Sequence, residues 1–173
     1  IYLATETGVR VSKIDSKTLR QFFTPILEDK IKSQVWDLLS NREELFLGSN
    51  YGIGVLNKEG VYNQFIDRTY TGSVYKIKKS KIFKDKILIG TKKGLALIDP
   101  TKKNEIQFLK IDKGKIWNFY ELPKSNEIWT YIKGKGVYRI KIDRLDKLEK
   151  IQFSVQKYGD SEGLTDHILN PFE

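Results

Sequence analysis

One short phrase recurs four times along the 173-residue chain, and this recurrence restricts the possible folds more than any other feature. Each copy is an apolar run, a turn with glycine and a second apolar run. The copies are IYLATETGVRV (1–11), ELFLGSNYGIGVL (44–56), KILIGTKKGLALIDP (86–100) and EIWTYIKGKGVYRI (127–140). Aligned on the residue before the turn, they are 44, 42 and 41 residues apart (Thr5, Ser49, Thr91, Ile132). Aligned on the glycine that restarts the chain, they are 46, 40 and 42 apart (Gly8, Gly54, Gly94, Gly136).

Two further phrases recur with the same period. One has a β-branched residue, then an aromatic residue or Leu, then a polar residue: SQVWDLLS (33–40), GSVYKIKK (72–79), GKIWNFYE (114–121) and DHILNPFE (166–173). The other follows each glycine turn and centres on Phe22, Phe65, Phe108 and Phe153. Each unit thus supplies about four short runs rich in Val, Ile, Tyr and Phe between turn residues, a pattern typical of strands rather than helices.

Four strands per unit of about 42 residues is the arithmetic of a β-propeller blade. A blade is covered on both faces by its neighbours, which explains why the runs are almost continuously apolar. We therefore expect an all-β, propeller-type array of about four four-stranded blades, either a complete four-bladed propeller or an arc of a larger one. We expect one region over 1–173, with repeats at approximately 1–32, 33–71, 72–113 and 114–165, and with 166–173 opening or closing a blade.

The composition limits the kinds of metal and covalent site that the chain can form. The chain has no cysteine and a single histidine, His167, so disulfides, thiolate metal sites and a multi-histidine metal site are not expected. No apolar run approaches the roughly 18 residues that a membrane helix needs, and the chain opens on a strand pattern without a visible leader. We expect no metal, no cofactor and no catalytic residue, and we interpret the chain as a piece of a longer protein.

Positive charge dominates, with 31 Lys and Arg against 22 Asp and Glu, a formal net charge of +9. Such an excess attracts polyanions, or it is simply a solvated lysine-rich surface. The densest run is KIKKSKIFKDK (76–86), in which Lys78, Lys79 and Lys81 form an anion-binding candidate for a sulfated or uronic oligosaccharide, the alternative being a solvated hairpin tip. The aromatic residues lie within apolar runs, which indicates core packing, so no nucleic-acid partner is expected.

The glycine-turn phrases LFLGSNYGIGVLN, ILIGTKKGLALID and IWTYIKGKGVYRIK resemble the regulator-propeller repeat of periplasmic sensor regions in hybrid two-component systems. The tail YGDSEGLTDHILNPFE is similar to the phrase that opens a new repeat in that family. Departures are Ser49 and Ile132 in place of Thr, and Leu88 in place of an aromatic residue. The resemblance implies a periplasmic or extracellular location, a glycan or other polar ligand, and signalling domains downstream in the same receptor, with the membrane reached only through segments outside this chain.

The first strand of each blade supplies the candidate site, because it borders the central channel. Its polar third position is Asp37, Lys76, Asn118 and Asn170 in the four units, and the preceding residue in three units is Trp36, Tyr75 and Trp117. These residues either bind a polar ligand such as an oligosaccharide, or hold channel water and pack between blades.

The expected function is non-enzymatic ligand sensing, since GTKKGL and GSNYGIG lack the context of phosphate- or dinucleotide-binding loops and no acid–base pair stands out. The alternative is a protein–protein interaction scaffold. A homodimer is a further candidate assembly.

Overall fold

A computed structural model describes residues 2–14, 21–26, 33–145 and 151–163. Four antiparallel sheets follow one another along the chain and are called blades A to D. Blade A has three described strands: β1 (Tyr2–Thr5), β2 (Gly8–Ile14) and β3 (Gln21–Ile26). Blade B has four: β4 (Val35–Asn41), β5 (Glu44–Ser49), β6 (Gly52–Leu56) and β7 (Tyr62–Asp67).

Blade C contains β8 (Val74–Lys79), β9 (Ile87–Thr91), β10 (Gly94–Ile98) and β11 (Ile106–Phe108). Blade D contains β12 (Phe119–Leu122), β13 (Glu127–Ile132), β14 (Gly136–Leu145) and β15 (Ile151–Tyr158). Within each blade the strands pair in chain order as an antiparallel meander. The predicted all-β, propeller-type fold is confirmed. In blade A the first described strand, β1, carries the apolar run before the glycine turn, which in blades B, C and D forms the second strand.

Helical structure in the described ranges is limited to α1 (Arg68–Thr71) and a 3-10 turn at Asp160–Glu162. The short helix α1 connects blade B to blade C. Its N-cap is Asp67, whose side chain accepts a hydrogen bond from the backbone N–H of Thr69 at 2.8 Å. No helix within these ranges has the length and apolar character needed to span a bilayer.

The glycine turn is closed by a side-chain hydroxyl. In blades A, B and C the hydroxyl of the residue before the turn donates to the carbonyl of the restarting glycine, at 2.9, 3.3 and 2.8 Å (Thr5, Ser49, Thr91). Strand pairing shows that the restarting glycine of blade B is Gly52, not the predicted Gly54, because Gly52 pairs with Ser49. Gly52 has φ +95°, and a Cβ there would lie 2.2 Å from the carbonyl oxygen of Ile66.

Three hydrophobic clusters hold the blades together, one at each interface between consecutive blades. The cluster between A and B includes Val9 and Leu47. The cluster between B and C includes Phe46 and Ile89. The cluster between C and D includes Leu88, with blade D contributing Phe119, Ile128, Ile132, Tyr138, Ile140 and Ile142. The described blades therefore stack in the order A, B, C, D, with apolar side chains on both faces of B and C.

Two glycines let consecutive blades approach closely. A Cβ on Gly48 of blade B would lie 3.0 Å from the carbonyl oxygen of Val74 in blade C. A Cβ on Gly90 of blade C would lie 2.6 Å from the carbonyl oxygen of Ile116, just before blade D. The corresponding position in blade D, set by the pairing of β13 with β14, is Tyr131. Blade D thus has a bulky ring where the two preceding blades have no side chain.

The face of blade D turned away from blade C is aromatic and charged. The strand register places Tyr120, Trp129 and Arg139 side by side on this face. Glu127 pairs with Arg139 and accepts a hydrogen bond from Trp129 Nε1 at 3.1 Å. The hydrogen bond from Arg139 holds the pKa of Glu127 below its ordinary value. Tyr120 is 63% exposed, so no blade covers this face within the described part of the chain.

Candidate functional site

The three aromatic residues predicted from the first strands come together in the fold and are called the axial aromatic cluster (Trp36, Tyr75, Trp117). The ring centroids of Trp36 and Tyr75 lie 5.4 Å apart and those of Trp36 and Trp117 lie 5.3 Å apart, both edge to face. The rings of Tyr75 and Trp117 are tilted by 33° with centroids 4.1 Å apart. Blades B, C and D thus each contribute one ring, and each of the three rings contacts the other two.

The backbone explains why these side chains leave the regular ladder. Strand pairing shifts register between Val35 and Asp37 and again between Val74 and Lys76, so Trp36 and Tyr75 each occupy a β-bulge. A bulge increases local twist and re-aims the side chain that it carries. Trp117 precedes β12 and lies outside the ladder. All three rings therefore lie where the innermost strands begin.

Exposure separates the members of the axial aromatic cluster. Tyr75 is 8% exposed and acts mainly in packing between blades, whereas Trp117 is 42% exposed. The ammonium of Lys115 lies 6.0 Å from the Trp117 ring centroid. Trp36 is half-buried, and its Nε1–H donates to Asn50 Oδ1 at 2.9 Å. The cluster thus has a packed interior and one accessible indole.

The polar residues next to these aromatics are engaged locally. Asp37 Oδ2 accepts hydrogen bonds from the Ile77 backbone N–H at 3.0 Å and forms an ion pair with Lys76 at 3.1 Å, which joins blade B to blade C. Asn118 Oδ1 accepts from the backbone N–H of Phe119. The fourth predicted position, Asn170, lies outside the described residues. In the described units the polar positions stabilise strands and a blade interface, instead of forming a ring of free groups.

The predicted lysine cluster lies at the other end of the same strand. Lys79 follows Tyr75 by four residues along β8, a separation of roughly 13 Å at the usual strand rise. Lys78, Lys79 and Lys81 are exposed, and Lys78 lies 5.9 Å from the ring centroid of Phe119. The structure therefore does not bring these lysines together with the axial aromatic cluster.

A buried carboxylate fixes the loop that carries Lys81. Glu121 of blade D accepts from Ser80 Oγ at 2.6 Å, from the Lys81 backbone N–H at 3.1 Å and from the Ile82 N–H at 3.3 Å. Glu121 and Ser80 are both 9% exposed. The loop between β8 and β9 is consequently anchored to the next blade by hydrogen bonds to an ionisable side chain.

An open cleft of about 650 Å³ lies beside the axial aromatic cluster, where blade A meets blade B. Its lining is polar and comes from the β1–β2 turn, the residues before β4, the β5–β6 turn and α1: Glu6, Ser33, Gln34, Asn50, Tyr51 and Arg68. Asn50 joins the cleft to the cluster through its hydrogen bond with Trp36. A cleft with polar groups beside accessible aromatic rings is suited to holding a polar ligand.

Sequence reasoning missed this cleft. Asn50 and Tyr51 occupy the turn of the repeated phrase, so their position in the repeat gave a signal that could have been used. Arg68 lies in α1, in the link between blades B and C. The repeat gave no signal for it, because the step of 42 residues from Ser49 to Thr91 is that of an ordinary unit.

The chemistry available at this face is stacking, hydrogen bonding and charge pairing. Within the described ranges, no group of three or more His, Asp and Glu side chains is placed to hold a metal ion. The cleft residues belong to turns and to the ends of strands and α1, so rigid sheets position them.

Comparisons with known proteins show the fold. No protein-family model matches the chain, and no curated protein matches it. Among solved structures it is similar to an auxiliary nutrient binding protein from Bacteroides thetaiotaomicron, with a TM-score of 0.56 and 14% identity over 89% of this chain and 38% of that one. It is also similar to the WD40 domain of Neurospora crassa Pan2, with a TM-score of 0.54 and 14% identity over 91% and 46%.

A third structural neighbour is PorZ, a surface component of the type-IX secretion system of Porphyromonas gingivalis, with a TM-score of 0.54 and 16% identity over 88% of this chain and 20% of that one. The chain therefore spans between one fifth and just under one half of these three proteins. At these identities the likeness extends to the fold, which is that of propeller proteins.

Proposed function

We propose that this chain is a non-enzymatic ligand-recognition propeller that binds a saccharide at the axial aromatic cluster and the adjoining cleft. The observation that carries the proposal is the accessible Trp117 indole, which contacts Trp36, whose Nε1–H donates to Asn50 in the wall of a polar cleft of about 650 Å³. Saccharides present apolar C–H faces that stack on indole rings and hydroxyls that need hydrogen-bond partners. The axial aromatic cluster offers the first kind of contact and the polar cleft offers the second.

The proposal extends to the whole protein as the extracytoplasmic part of a two-component-type receptor. Support comes from the resemblance of the glycine-turn phrases to the regulator-propeller repeat. A structural neighbour that is a nutrient binding protein and another that is a bacterial surface component agree with an extracellular or periplasmic setting. In this proposal the bound ligand is read out by signalling domains of the same receptor.

Calorimetric titration with a panel of neutral and acidic oligosaccharides tests the proposal. We expect saturable binding by at least one member. We expect Trp117→Ala to weaken it about five- to thirtyfold, since stacking on an aromatic ring contributes on the order of 1–2 kcal/mol. Tyr120→Ala is the matched control, because Tyr120 is an exposed aromatic residue of the same blade that lies on its outer face. Binding that is equally weakened by both substitutions, or no binding to any saccharide, would refute the proposal.

A scaffold that docks another protein is the second candidate function. It is favoured by the outer face of blade D, since Trp, Tyr and Arg are the residues enriched at the energetic centres of protein interfaces. Trp129, Tyr131 and Arg139 lie together there, and both Tyr131 Oη and Arg139 Nε are buried without a hydrogen-bond partner in the described part of the chain. A stoichiometric protein partner whose binding is lost with Trp129→Ala and kept with Trp117→Ala would establish this role in place of saccharide recognition.

A further inference from the structure

The cleft contains a cation that is oriented but not neutralised. The guanidinium carbon of Arg68 lies 5.7 Å from the centroid of the Tyr51 ring, and both residues are exposed. Among the described residues, the Arg68 side chain forms no ion pair and no hydrogen bond within the usual limits. This cation–π contact favours one placement of the guanidinium while leaving its N–H donors available.

The nearest acidic neighbour in sequence is occupied elsewhere. Asp67 Oδ1 accepts from the Thr69 N–H as the N-cap of α1, and this hydrogen bond holds the pKa of Asp67 below its ordinary value. Asp67 therefore remains ionised near neutral pH and directed at the helix, and it interacts with the charge of Arg68 through space without forming an ion pair within the described residues. The positive charge of Arg68 is left facing the cleft.

The amide of Asn50 adds a donor on the same wall. Trp36 Nε1–H can only donate, so the Asn50 atom that it contacts at 2.9 Å is the oxygen Oδ1. The Nδ2 amide group of Asn50 then remains as a donor at the cleft. Gln34, whose backbone carbonyl accepts from the Asn50 N–H at 3.3 Å, adds a second side-chain amide to the lining.

We propose that the cleft is a carboxylate-recognising subsite, in which Arg68 forms a bidentate pair with the carboxylate of an acidic saccharide. The planar fork of a guanidinium matches the two oxygens of a carboxylate, and the cation–π contact with Tyr51 reduces the entropy that Arg68 loses on binding. The Asn50 amide donates to the same ligand, and Glu6 across the cleft accepts from its hydroxyls. This inference rests on the proposed saccharide function and moves the anionic contact from the lysine cluster to Arg68.

A pair of matched probes tests the subsite: an oligosaccharide of hexuronic acid residues and its carboxyl-reduced, neutral counterpart, both titrated calorimetrically into the intact chain at low and at physiological salt. We expect the acidic probe to bind at least about tenfold more tightly than the neutral one. Arg68→Gln is expected to abolish this preference, because it weakens binding of the acidic probe much more than binding of the neutral probe. Arg68→Lys is expected to keep only part of the preference, since an ammonium group cannot form the bidentate pair.

Arg42→Gln is the matched control because Arg42 is an exposed arginine in the β4–β5 turn, at the opposite end of β4 from Trp36. It removes the same charge and is expected to preserve the preference. Equal binding of the two probes to the unsubstituted chain, with sensitivity to Trp117→Ala, would overturn the carboxylate subsite alone. Equal loss of preference in Arg42→Gln and Arg68→Gln would overturn it by showing a general charge effect. Failure of both probes to bind would overturn the subsite and remove the proposed function for this ligand class.

Discussion

The buried Glu121 makes a quantitative test of how the blades are joined. Glu121→Ala removes the acceptor of the Ser80 hydroxyl and of the Lys81 backbone N–H, while the Ile82 N–H keeps its second acceptor, Ser80 Oγ, at 3.2 Å. Leaving a buried donor unsatisfied costs about 1–3 kcal/mol. The Ser80 hydroxyl is such a donor, whereas the Lys81 N–H is only partly buried and adds less. We expect the free energy of unfolding to fall by about 2–4 kcal/mol.

Urea denaturation followed by tryptophan fluorescence measures this loss. Glu43→Ala is the control, because Glu43 forms an ion pair with Lys58 at 3.0 Å while both side chains are mostly exposed, at 72% and 61%. Such a surface pair contributes about 0–1 kcal/mol. A second readout is amide hydrogen exchange at Lys81, which should accelerate in Glu121→Ala and stay unchanged in the control. A loss below about 1 kcal/mol, or one equal to that of the control, would show that Glu121 does not anchor the loop.

Three further predictions concern the turns and blade contacts. Asp99 accepts hydrogen bonds from Thr101 and from Lys86. Together with the positive charge of Lys86, these hydrogen bonds lower the pKa of Asp99 from 3.8 to about 2. Asp99→Ala should therefore lose about 1–2 kcal/mol at pH 7, and acid titration of stability should show this difference shrinking as the pH falls from about 4 to 2. Gly90→Ala places a Cβ 2.6 Å from a backbone carbonyl and should cost about 2–3 kcal/mol in urea denaturation, whereas Gly159→Ala, with nothing within 4 Å, should cost under about 0.5. Thr91→Val removes a buried hydroxyl that donates to the Gly94 carbonyl at 2.8 Å and should lower the thermal midpoint with a loss of about 1–3 kcal/mol; an unchanged midpoint would contradict the proposed closure of the turn.

The repeat was the strongest predictor of the fold, because short apolar runs and the turn residues between them are local properties of the sequence. The position of the restarting glycine in blade B was predicted wrongly as Gly54. The run GSNYGIG contains two candidate glycines, and only the pairing across the turn distinguishes them: Gly52 lies opposite Ser49, at the place that Gly94 takes opposite Thr91. A local pattern cannot show such pairing when both candidates are glycine.

The candidate site was predictable only where it follows the repeat. Trp36 and Tyr75 were found because each stands one residue before the polar position of a first strand, and both prove to lie on bulges. Arg68 belongs to the non-periodic helix α1, and its closeness to Tyr51 depends on the path of the chain between blades. The separation of the lysines from the aromatics, in contrast, follows from the sequence, since Tyr75 and Lys79 lie four residues apart along the single strand β8.

Tyr131 affects which repeat units of this chain can be followed by a further blade. Units two and three each carry a glycine at which a Cβ would lie 3.0 Å or less from a backbone carbonyl oxygen of the following unit. Either unit could therefore be copied, deleted or exchanged with little change at its outer contact. Unit four carries a phenol ring at that position, and a blade seated on it in the same way would meet the ring. The units are therefore not interchangeable, because the residue at this one position decides whether another blade can pack against a unit. A designed array that repeated unit four would need Tyr131→Gly before its copies could stack.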